Sequence, residues 1–312
     1  MLDIAFLDAS TLGEGVDFQP IIRLGNVRMY PSTTKEQRLT HIANASVVIT
    51  NKVVIDKEIM DACPNMKLIC VAGTGMDNID LAYAEQKGVK VKNAVGYSTH
   101  SVAQTTFALL LEVYMKVSVF NQYVHSGAYS AGNLYTCTQY PFCELAGKTI
   151  GIIGMGNIGK QVARIATAFG MKVCYYSTSG KNNSCEGEYT RLVLQDLLRT
   201  ADVVSVHAPR NKQTYNLIGT EQLRWMKPTA VLLNTGRGGI VNEEELAKAL
   251  DECLIAGAGV DVFEKEPFDS THPFLTMQHP ERLVLTPHIA WSSLEARTCL
   301  VGKIAENIRN NI

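Results

Sequence analysis

The sequence lacks the charge imbalance and the long apolar run that mark two large classes of protein. Its 312 residues carry a formal net charge of −1, which disfavours nucleic acid and acidic membranes as partners. No apolar run approaches the roughly 20 residues that span a bilayer, so we predict no membrane association. Residues 1–8 have neither the basic region nor the cleavage site of a signal peptide. We therefore expect a cytoplasmic protein.

Paired cysteines are absent too. The eight cysteines form no C-x-x-C pair, and their spacing suits neither a zinc site nor a disulfide framework. We therefore predict unpaired thiols in a reducing compartment and no bound metal. These cysteines are Cys63, Cys70, Cys137, Cys143, Cys174, Cys185, Cys253 and Cys299.

What the sequence does contain is a repeated alternation of short apolar runs and helical patterns. This alternation predicts α/β domains with parallel sheets and helical crossovers, and the chain is long enough for two of them. Ser101–Val119 is predicted as one long helix that leads into the second domain, and residues 126–147 as an irregular connection. In the first hundred residues the predicted strands are Ile4–Leu7, Val27–Tyr30, Val47–Thr50 and Lys67–Val71.

A fresh alternation begins at Lys148. It contains about six strands, the number expected of a dinucleotide-binding domain. The last helix, near Ser293–Arg309, is predicted to return to the first domain, and the cleft between the domains is the expected ligand site. The predicted strands of the second domain are Thr149–Ile153, Lys172–Tyr176, Val203–Val206, Ala230–Asn234, Ile255–Val260 and Arg282–Leu285.

A glycine fingerprint, G-x-G-x-x-G, lies between the first of these strands and a helix predicted over Asn157–Ala168. In this context Gly154 allows a tight turn, Gly156 lets the backbone approach a pyrophosphate, and Gly159 lets the helix pack closely on the strand. The helix N-terminus offers N–H groups and a partial positive charge to phosphates. The sequence therefore predicts a dinucleotide site, with a methyltransferase-type nucleotide site as the alternative.

The second strand of this domain ends without the carboxylate that usually holds the ribose 2′-OH of NAD. The position falls on Ser177 or next to it, and the nearest acid is Glu186. Ser177, Thr178, Ser179 and Lys181 offer donors and a positive charge to a 2′-phosphate, and Arg210 is a further candidate cation. The sequence therefore favours NADP, with NAD as the alternative.

Three ionisable residues late in the chain, Arg237, Glu266 and His288, each follow an apolar run that is typical of a strand. Because the carboxyl ends of parallel strands meet at one edge of a sheet, we expect all three at that edge. An arginine, a carboxylate and a histidine can together bind a 2-oxo acid and move a proton. With the dinucleotide site, they predict an enzyme that transfers a hydride.

These features belong to an ordered series of motifs that resembles the D-isomer-specific 2-hydroxyacid dehydrogenases nearly end to end. The P-H-I-A-W form of the histidine motif, Pro287–Trp291, is most similar to the glycerate dehydrogenase or hydroxypyruvate reductase branch. The series consists of Val71–Asp80, Gly96–Ser98, Ser101–Ala103, the glycine fingerprint, His207–Pro209, the motifs of Arg237, Glu266 and His288, and Glu295–Arg297.

The resemblance implies an α/β fold of two doubly wound parallel-sheet domains, and a homodimer. A Rossmann dinucleotide-binding domain, residues 99–289, is expected to be inserted in a flavodoxin-like substrate-binding domain, which residues 1–98 plus 290–312 form.

The resemblance also implies a role for each site residue. Arg237 clamps the substrate carboxylate and polarises the keto oxygen, and the backbone N–H groups of Thr74 and Gly75 bind the same carboxylate. His288 donates a proton as the hydride arrives, and Glu266 favours its charged form. The expected cofactor contacts are Gly154, Gly156, Asn157, Ile158, Ser177, Thr178, Ser179, Lys181, His207, Ala208, Pro209, Thr214, Thr235, Gly236, Asp261 and His288.

The expected reaction transfers a hydride between NAD(P)H and a small 2-oxo acid, and it reduces hydroxypyruvate or glyoxylate to D-glycerate or glycolate. A dehydrogenase for a bulkier 2-hydroxy acid is the nearer alternative. A dinucleotide-sensing corepressor-like binding protein is the other, because some relatives of this fold keep the same arginine, glutamate and histidine. The sequence leaves the substrate side chain and the direction of the reaction open.

Overall fold

Short apolar runs form parallel strands throughout the computed structural model, which describes residues 2–180 and 187–312. The chain divides into two compact units, residues 1–98 with 291–312 and residues 99–290. Ala290, assigned to the first domain from the sequence, lies in the second unit. Its N–H donates to the Asp261 carboxylate (2.9 Å) and its carbonyl accepts from the Ser101 hydroxyl (2.6 Å), which ties it to that unit.

The sheet of the first unit has the strand order β2-β1-β3-β4-β5, with every neighbouring pair parallel. This is the order of a flavodoxin-like doubly wound sheet, as predicted. The fifth strand was not predicted, because its lysines are polar and it lies at the edge of the sheet. The strands are β1 (Leu2–Phe6), β2 (Gly25–Met29), β3 (Val47–Thr50), β4 (Leu68–Val71) and β5 (Lys90–Lys92).

The sheet of the second unit confirms the predicted Rossmann domain. Its order is β12-β11-β10-β9-β6-β7-β8, and all neighbouring strands are again parallel. The chain adds β7 and β8 on one side of β6 and then crosses to add β9 to β12 on the other side, as in a dinucleotide-binding sheet. The strands are β6 (Thr149–Ile153), β7 (Lys172–Tyr176), β8 (Thr190–Arg191), β9 (Val203–Val206), β10 (Val231–Asn234), β11 (Gly257–Val260) and β12 (Leu283–Leu285).

The predicted number of six strands was too low, because β8 has only two residues, both exposed. So short a run carries no apolar alternation that a sequence pattern would reveal. The central strands β9, β10 and β11 are buried along their whole length, as strands covered by helices on both faces must be.

Helices cover both sheets. The last helix, predicted to return to the first domain, does so: Leu300, Val301, Ile304 and Ile308 lie in the core of the first unit. The helices are α1 (Gln19–Ile22), α2 (Arg38–Ile42), α3 (Lys57–Ala62), α4 (Leu81–Lys87), α5 (Thr99–Met115), α6 (Val117–His125), α7 (Ala128–Ala131), α8 (Asn157–Ala168), α9 (Leu194–Thr200), α10 (Thr220–Trp225), α11 (Glu243–Asp251) and α12 (Leu294–Asn311), with 3₁₀ turns at Ala9–Leu12, Pro273–Leu275 and Pro280–Arg282.

The single long helix predicted over Ser101–Val119 is wrong, because the chain breaks at Lys116 into α5 and α6. Lys116 adopts a left-handed conformation (φ 53°), and the Glu112 carboxylate accepts the Ser118 N–H (3.3 Å), which would otherwise lack a partner at the start of α6. Over the described residues, no single helix has the length and apolar character to cross a membrane; only α5 and α6 together, bent by 58°, reach that length and composition.

Candidate active site

The three late motifs emerge at one edge of the second sheet. Asn234, Val260 and Leu285 are in register at the carboxyl ends of β10, β11 and β12, which are neighbours in the sheet. Arg237 and His288 follow the first and last of these ends by three residues each, and Glu266 follows the middle one by six. The chain therefore delivers all three side chains to the same edge, as predicted from the sequence.

His288 and Glu266 are in direct contact. The imidazole Nδ1 lies 2.6 Å from Glu266 Oε2, and the other carboxylate oxygen accepts the Phe263 N–H (2.9 Å). The two side chains are 25% and 28% exposed, so the pair is shielded but reachable. Because Nδ1 is engaged by the carboxylate, Nε2 is the ring nitrogen that can meet a substrate.

The turn that carries His288 depends on the buried carboxylate of Asp261. Its oxygens accept the Thr286 hydroxyl (2.6 Å) and the N–H groups of Ile289 and Ala290 (2.9 Å each), and its backbone carbonyl accepts the His288 N–H (2.8 Å). Burial raises the pKa of Asp261, although these hydrogen bonds oppose the rise. They hold His288 in a left-handed conformation (φ 54°) that few non-glycine residues adopt.

The turn that carries Arg237 packs against the glutamate loop, residues 263–266, at Gly238, a glycine that the sequence analysis did not single out. A Cβ at Gly238 would lie 1.9 Å from the Phe263 carbonyl carbon and 2.4 Å from the Glu264 nitrogen, so only glycine fits. Within its own turn, Arg237 Nη1 donates to the Gly236 carbonyl (2.9 Å). The half-buried arginine is therefore held beside the segment that leads to Glu266.

The glycine fingerprint has the geometry that its residues predict. Gly154 has φ 97°, and a Cβ there would lie 2.7 Å from the Ala208 nitrogen; a Cβ at Gly159 would lie 2.3 Å from the Gly154 carbonyl oxygen. At Gly156 no described atom comes within 4 Å of a Cβ position, so the backbone is open to a ligand. Gly156 caps α8 without a side-chain hydrogen bond, which leaves the helix N–H groups available to phosphate.

The loop after β7 contains a buried hydroxyl. Ser177 Oγ is buried and has no hydrogen-bond partner among the residues that the structure describes. Thr178 is half-buried and Ser179 is exposed, whereas Lys181 lies outside the described residues. The structure adds a cation that the sequence analysis missed: Arg191, paired with Tyr175 across β7 and β8, donates from Nη2 to the Gly180 carbonyl (3.0 Å).

The remaining predicted cofactor residues lie at the carboxyl ends of β9 and β10, between the fingerprint and the catalytic motifs. His207 is held by the Ser205 hydroxyl (2.8 Å from Nε2) and by the Thr235 hydroxyl, which also meets Thr106 (2.9 Å). Burial lowers the pKa of His207 to about 3, so this imidazole is neutral. A Cβ at Gly236 would lie 3.0 Å from the Val206 carbonyl oxygen, which keeps the two loops in contact.

Thr214 is buried, and its hydroxyl donates to the carbonyl of Pro209 (2.6 Å), which fixes the loop that follows Ala208. Its contact with the cofactor stays a prediction. The sequence analysis did not identify the partners Ser205 and Thr106. Ser205 lies only two residues before His207, so it was local in sequence but carried no motif. Thr106 lies on α5, far from Thr235 in sequence, and only the folded chain brings those two together.

The two predicted substrate residues of the first unit, Thr74 and Gly75, follow β4. The Thr74 hydroxyl donates to the Ala94 carbonyl (3.2 Å), and Asn93 donates to the Thr74 carbonyl (2.7 Å), so the turn is fixed. Within the described residues the N–H groups of Thr74 and Gly75 donate no hydrogen bond. They are available to an anion.

No cluster of three histidine, cysteine or acidic side chains suited to a metal occurs in residues 2–180 and 187–312. Seven of the cysteines are free thiols, and Cys185 lies outside the described ranges.

Residues 107–290 match the sequence model of the family described as D-isomer specific 2-hydroxyacid dehydrogenase, NAD binding domain. The chain belongs to the D-isomer-specific 2-hydroxyacid dehydrogenases. It is 35% identical to the hydroxypyruvate reductase of Blautia hydrogenotrophica, over 98% of this chain and 96% of that protein. Membership confirms the family and the branch that the motifs indicated.

Two solved structures of similar fold are informative. The D-lactate dehydrogenase of Aquifex aeolicus, in complex with NAD and lactic acid, has a TM-score of 0.85 and 27% identity over 98% of this chain and 94% of that one. The NADPH-dependent glyoxylate/hydroxypyruvate reductase of Sinorhizobium meliloti, in complex with NADP and malonate, has a TM-score of 0.81 and 26% identity over 99% and 92%. The family member described here is therefore an oxidoreductase that transfers a hydride between NAD(P)H and small 2-oxo or 2-hydroxy acids.

Proposed function

We propose that this dehydrogenase reduces hydroxypyruvate or glyoxylate to D-glycerate or glycolate with NADPH. The observation that carries the proposal is the contact between His288 and Glu266, placed on the same sheet edge as a glycine fingerprint with an open backbone. The names of the similar hydroxypyruvate reductase and glyoxylate/hydroxypyruvate reductase support the choice of substrate.

The proton in this reaction comes from the His288 imidazole. Glu266 accepts a hydrogen bond from Nδ1 and thereby orients the ring, whose Nε2 donates the proton to the developing alkoxide. Bound NADPH supplies the hydride. In the reverse direction the neutral imidazole accepts the proton, so the same pair serves both directions.

Arg237 is proposed to bind the substrate carboxylate and to polarise the keto oxygen. A planar guanidinium can make two parallel hydrogen bonds to a carboxylate, which lysine cannot. The N–H groups of Thr74 and Gly75 are separately proposed to bind a substrate carboxylate, and their lack of other acceptors among the described residues supports that role. Without a fixed carboxylate, the keto carbon would not be held in a reactive position.

The preference for NADP is proposed from the loop after β7. The sequence holds no acidic residue from Thr178 to Ser184, so nothing there repels a 2′-phosphate. The buried Ser177 hydroxyl offers a hydrogen bond to the ribose, and the Arg191 guanidinium at Gly180 brings positive charge to the same loop. The NADP complex of the similar Sinorhizobium reductase supports this choice, whereas the NAD complex of the Aquifex enzyme shows that the fold accepts either.

A panel of 2-oxo acids assayed separately with NADH and NADPH tests this proposal. We expect the highest kcat/KM with hydroxypyruvate or glyoxylate and NADPH. A higher value for a branched or aromatic 2-oxo acid would assign the bulkier substrate, and a higher value with NADH would overturn the cofactor preference. If no 2-oxo acid is reduced while NADPH binds, a dinucleotide-sensing role would replace the enzymatic one.

We also propose that the chain forms a homodimer through residues 117–142. Helix α6 has no buried residue, and the segment that follows exposes Leu134 (71%), Tyr135 (90%) and Phe142 (55%). Exposed apolar patches of this kind mark interfaces between proteins. The second copy is the proposed occupant because the family resemblance implies a dimer.

A further inference from the structure

A second histidine–carboxylate pair holds the loop that carries Glu266. His272 Nε2 lies 2.8 Å from Oε2 of Glu243, the first residue of α11. Both side chains are only about one-tenth exposed, 11% and 12%. None of the expected roles in catalysis, substrate binding or cofactor binding uses this pair.

The hydrogen-bond partners of His272 fix which nitrogen of its neutral ring carries the proton. His272 Nδ1 accepts the N–H of Phe274 (3.3 Å), so in the neutral ring the hydrogen is on Nε2 and is donated to Glu243. The Phe268 ring stacks on the imidazole at 4.3 Å, and Phe263 and Phe274 lie 6.1 Å and 4.9 Å from it. Packing and hydrogen bonding together leave the ring one orientation.

Glu243 connects this pair to the glutamate loop. Its other oxygen, Oε1, accepts the backbone N–H of Glu264 (2.6 Å), while the Glu264 side chain accepts the Tyr215 hydroxyl (2.7 Å). The preceding residue, Phe263, donates its own N–H to Glu266 Oε1 (2.9 Å). The backbone amide that orients Glu266 is therefore adjacent to the one that Glu243 holds.

We propose that Glu243 and His272 are positioning residues that hold the Phe263–Glu264 backbone so that the Glu266 carboxylate meets His288. The inference rests on the proposed function, because it assigns the pair a role in proton donation by His288. His272 provides the donor that keeps Oε2 of Glu243 occupied, and Glu243 in turn leaves Oε1 aimed at the loop.

Three variants test this chain of contacts. Glu243→Gln keeps the side-chain volume but has a single acceptor oxygen for two donors. His272→Asn keeps an acceptor near Nδ1 for Phe274 but loses the donor to Glu243, whereas His272→Gln can place its amide N–H near the position of Nε2. We expect Glu243→Gln and His272→Asn to lower kcat about tenfold, with the KM for NADPH within about twofold, and His272→Gln to stay within about threefold of wild type.

The deciding measurement repeats Glu243→Gln and His272→Asn in a Glu266→Gln background. If the pair acts through Glu266, each substitution then costs less than about twofold in kcat, because the carboxylate it positions is already gone. An equal loss in both backgrounds, or no loss in either, overturns the inference. If His272→Asn fails to fold, the isosteric Glu243→Gln carries the same comparison.

The matched control is His279→Gln. His279 lies in the same unit and contacts Glu281 at 3.2 Å, but both side chains are exposed and the two residues are only two positions apart in the sequence. It should leave kcat unchanged. A wild-type enzyme that reduces no 2-oxo acid would contradict the proposed function, whereas an active wild type with equal losses in both backgrounds would contradict only the positioning role, so the two failures are distinguishable.

Discussion

At the scale of single residues, His288 is the side chain whose contacts bear most directly on the proposed reaction. Its Nδ1 is occupied by Glu266, which leaves Nε2 for the substrate. We expect His288→Ala to lower kcat by about a hundredfold to ten-thousandfold, the usual contribution of general acid catalysis. The affinity for NADPH, measured by the quenching or shift of NADPH fluorescence on binding, should change little. His279→Ala is the control, and normal turnover in His288→Ala would contradict the assignment.

The burial of His207 leads to a prediction of how the stability of the protein depends on pH. Its pKa falls from 6.5 to about 3 on folding, because burial disfavours the charged ring. The unfolded chain therefore binds a proton that the folded one does not, between about pH 6.5 and about pH 3. Its contribution to stability is fully present above pH 6.5 and is lost as the pH falls through this window.

As the pH falls through that window, the free energy of unfolding of the wild type should decrease by about 1.4 kcal/mol more per pH unit than that of His207→Gln, because glutamine has no proton to take up. Denaturant unfolding of both proteins at a series of pH values gives the two slopes. Parallel slopes would show that the folded protein protonates His207 as readily as the unfolded chain does.

The site residues that the sequence predicted are those with a local motif. The fingerprint glycines, the loop of Ser177, and Arg237, Glu266 and His288 all stand at fixed offsets from apolar strands. Gly238 carries no such mark: its need for glycine arises from the Phe263 carbonyl, which is far away in sequence. Glu243 and His272 were passed over for the same reason, since 29 residues separate the two halves of their contact.

At the scale of secondary structure, strand β8 makes the sharpest prediction. It was missed because two exposed residues give no periodic signal, yet it brings Arg191 to the loop after β7. A charge-assisted hydrogen bond is worth roughly 1.5–3 kcal/mol, so Arg191→Ala should lower kcat/KM for NADPH by about tenfold to a hundredfold.

The value for NADH should stay within about twofold, because NADH lacks the 2′-phosphate. Arg199→Ala is the matched control, since Arg199 is an exposed arginine in the last turn of α9. An equal loss with both cofactors would mean that Arg191 supports the fold of the loop and does not read the phosphate.

The elements that the sequence predicted well are those with a strong apolar period. Strands β3, β6, β7 and β9 have the predicted bounds, as does helix α8, whose apolar face packs on the sheet. The prediction failed where a side chain decides the outcome, as at Lys116, where the Glu112 carboxylate caps α6 and ends the helical run. Propensity alone does not reveal such a break, because every residue around it is a tolerable helix former.

At the scale of the whole molecule, the exposed segment 117–142 predicts the assembly state. Phe120 packs edge-to-face with Tyr140 (5.8 Å) and Phe142 (6.4 Å), so the segment presents an ordered aromatic surface. We expect wild type to elute as a dimer in size-exclusion chromatography with light scattering. The double variant Tyr135→Glu with Phe142→Glu should dissociate it, because burying two carboxylates in an apolar interface is costly.

Val54→Glu is the control, since Val54 is a half-exposed apolar residue of the first unit outside this segment. It should remain dimeric. A variant that stays dimeric despite both glutamates would place the interface elsewhere, and a monomeric wild type would leave the aromatic surface to another protein. Because the expected cofactor-binding residues all lie in the second unit of a single chain, we expect the dissociated variant to keep NADPH binding, which fluorescence titration of the monomer measures directly.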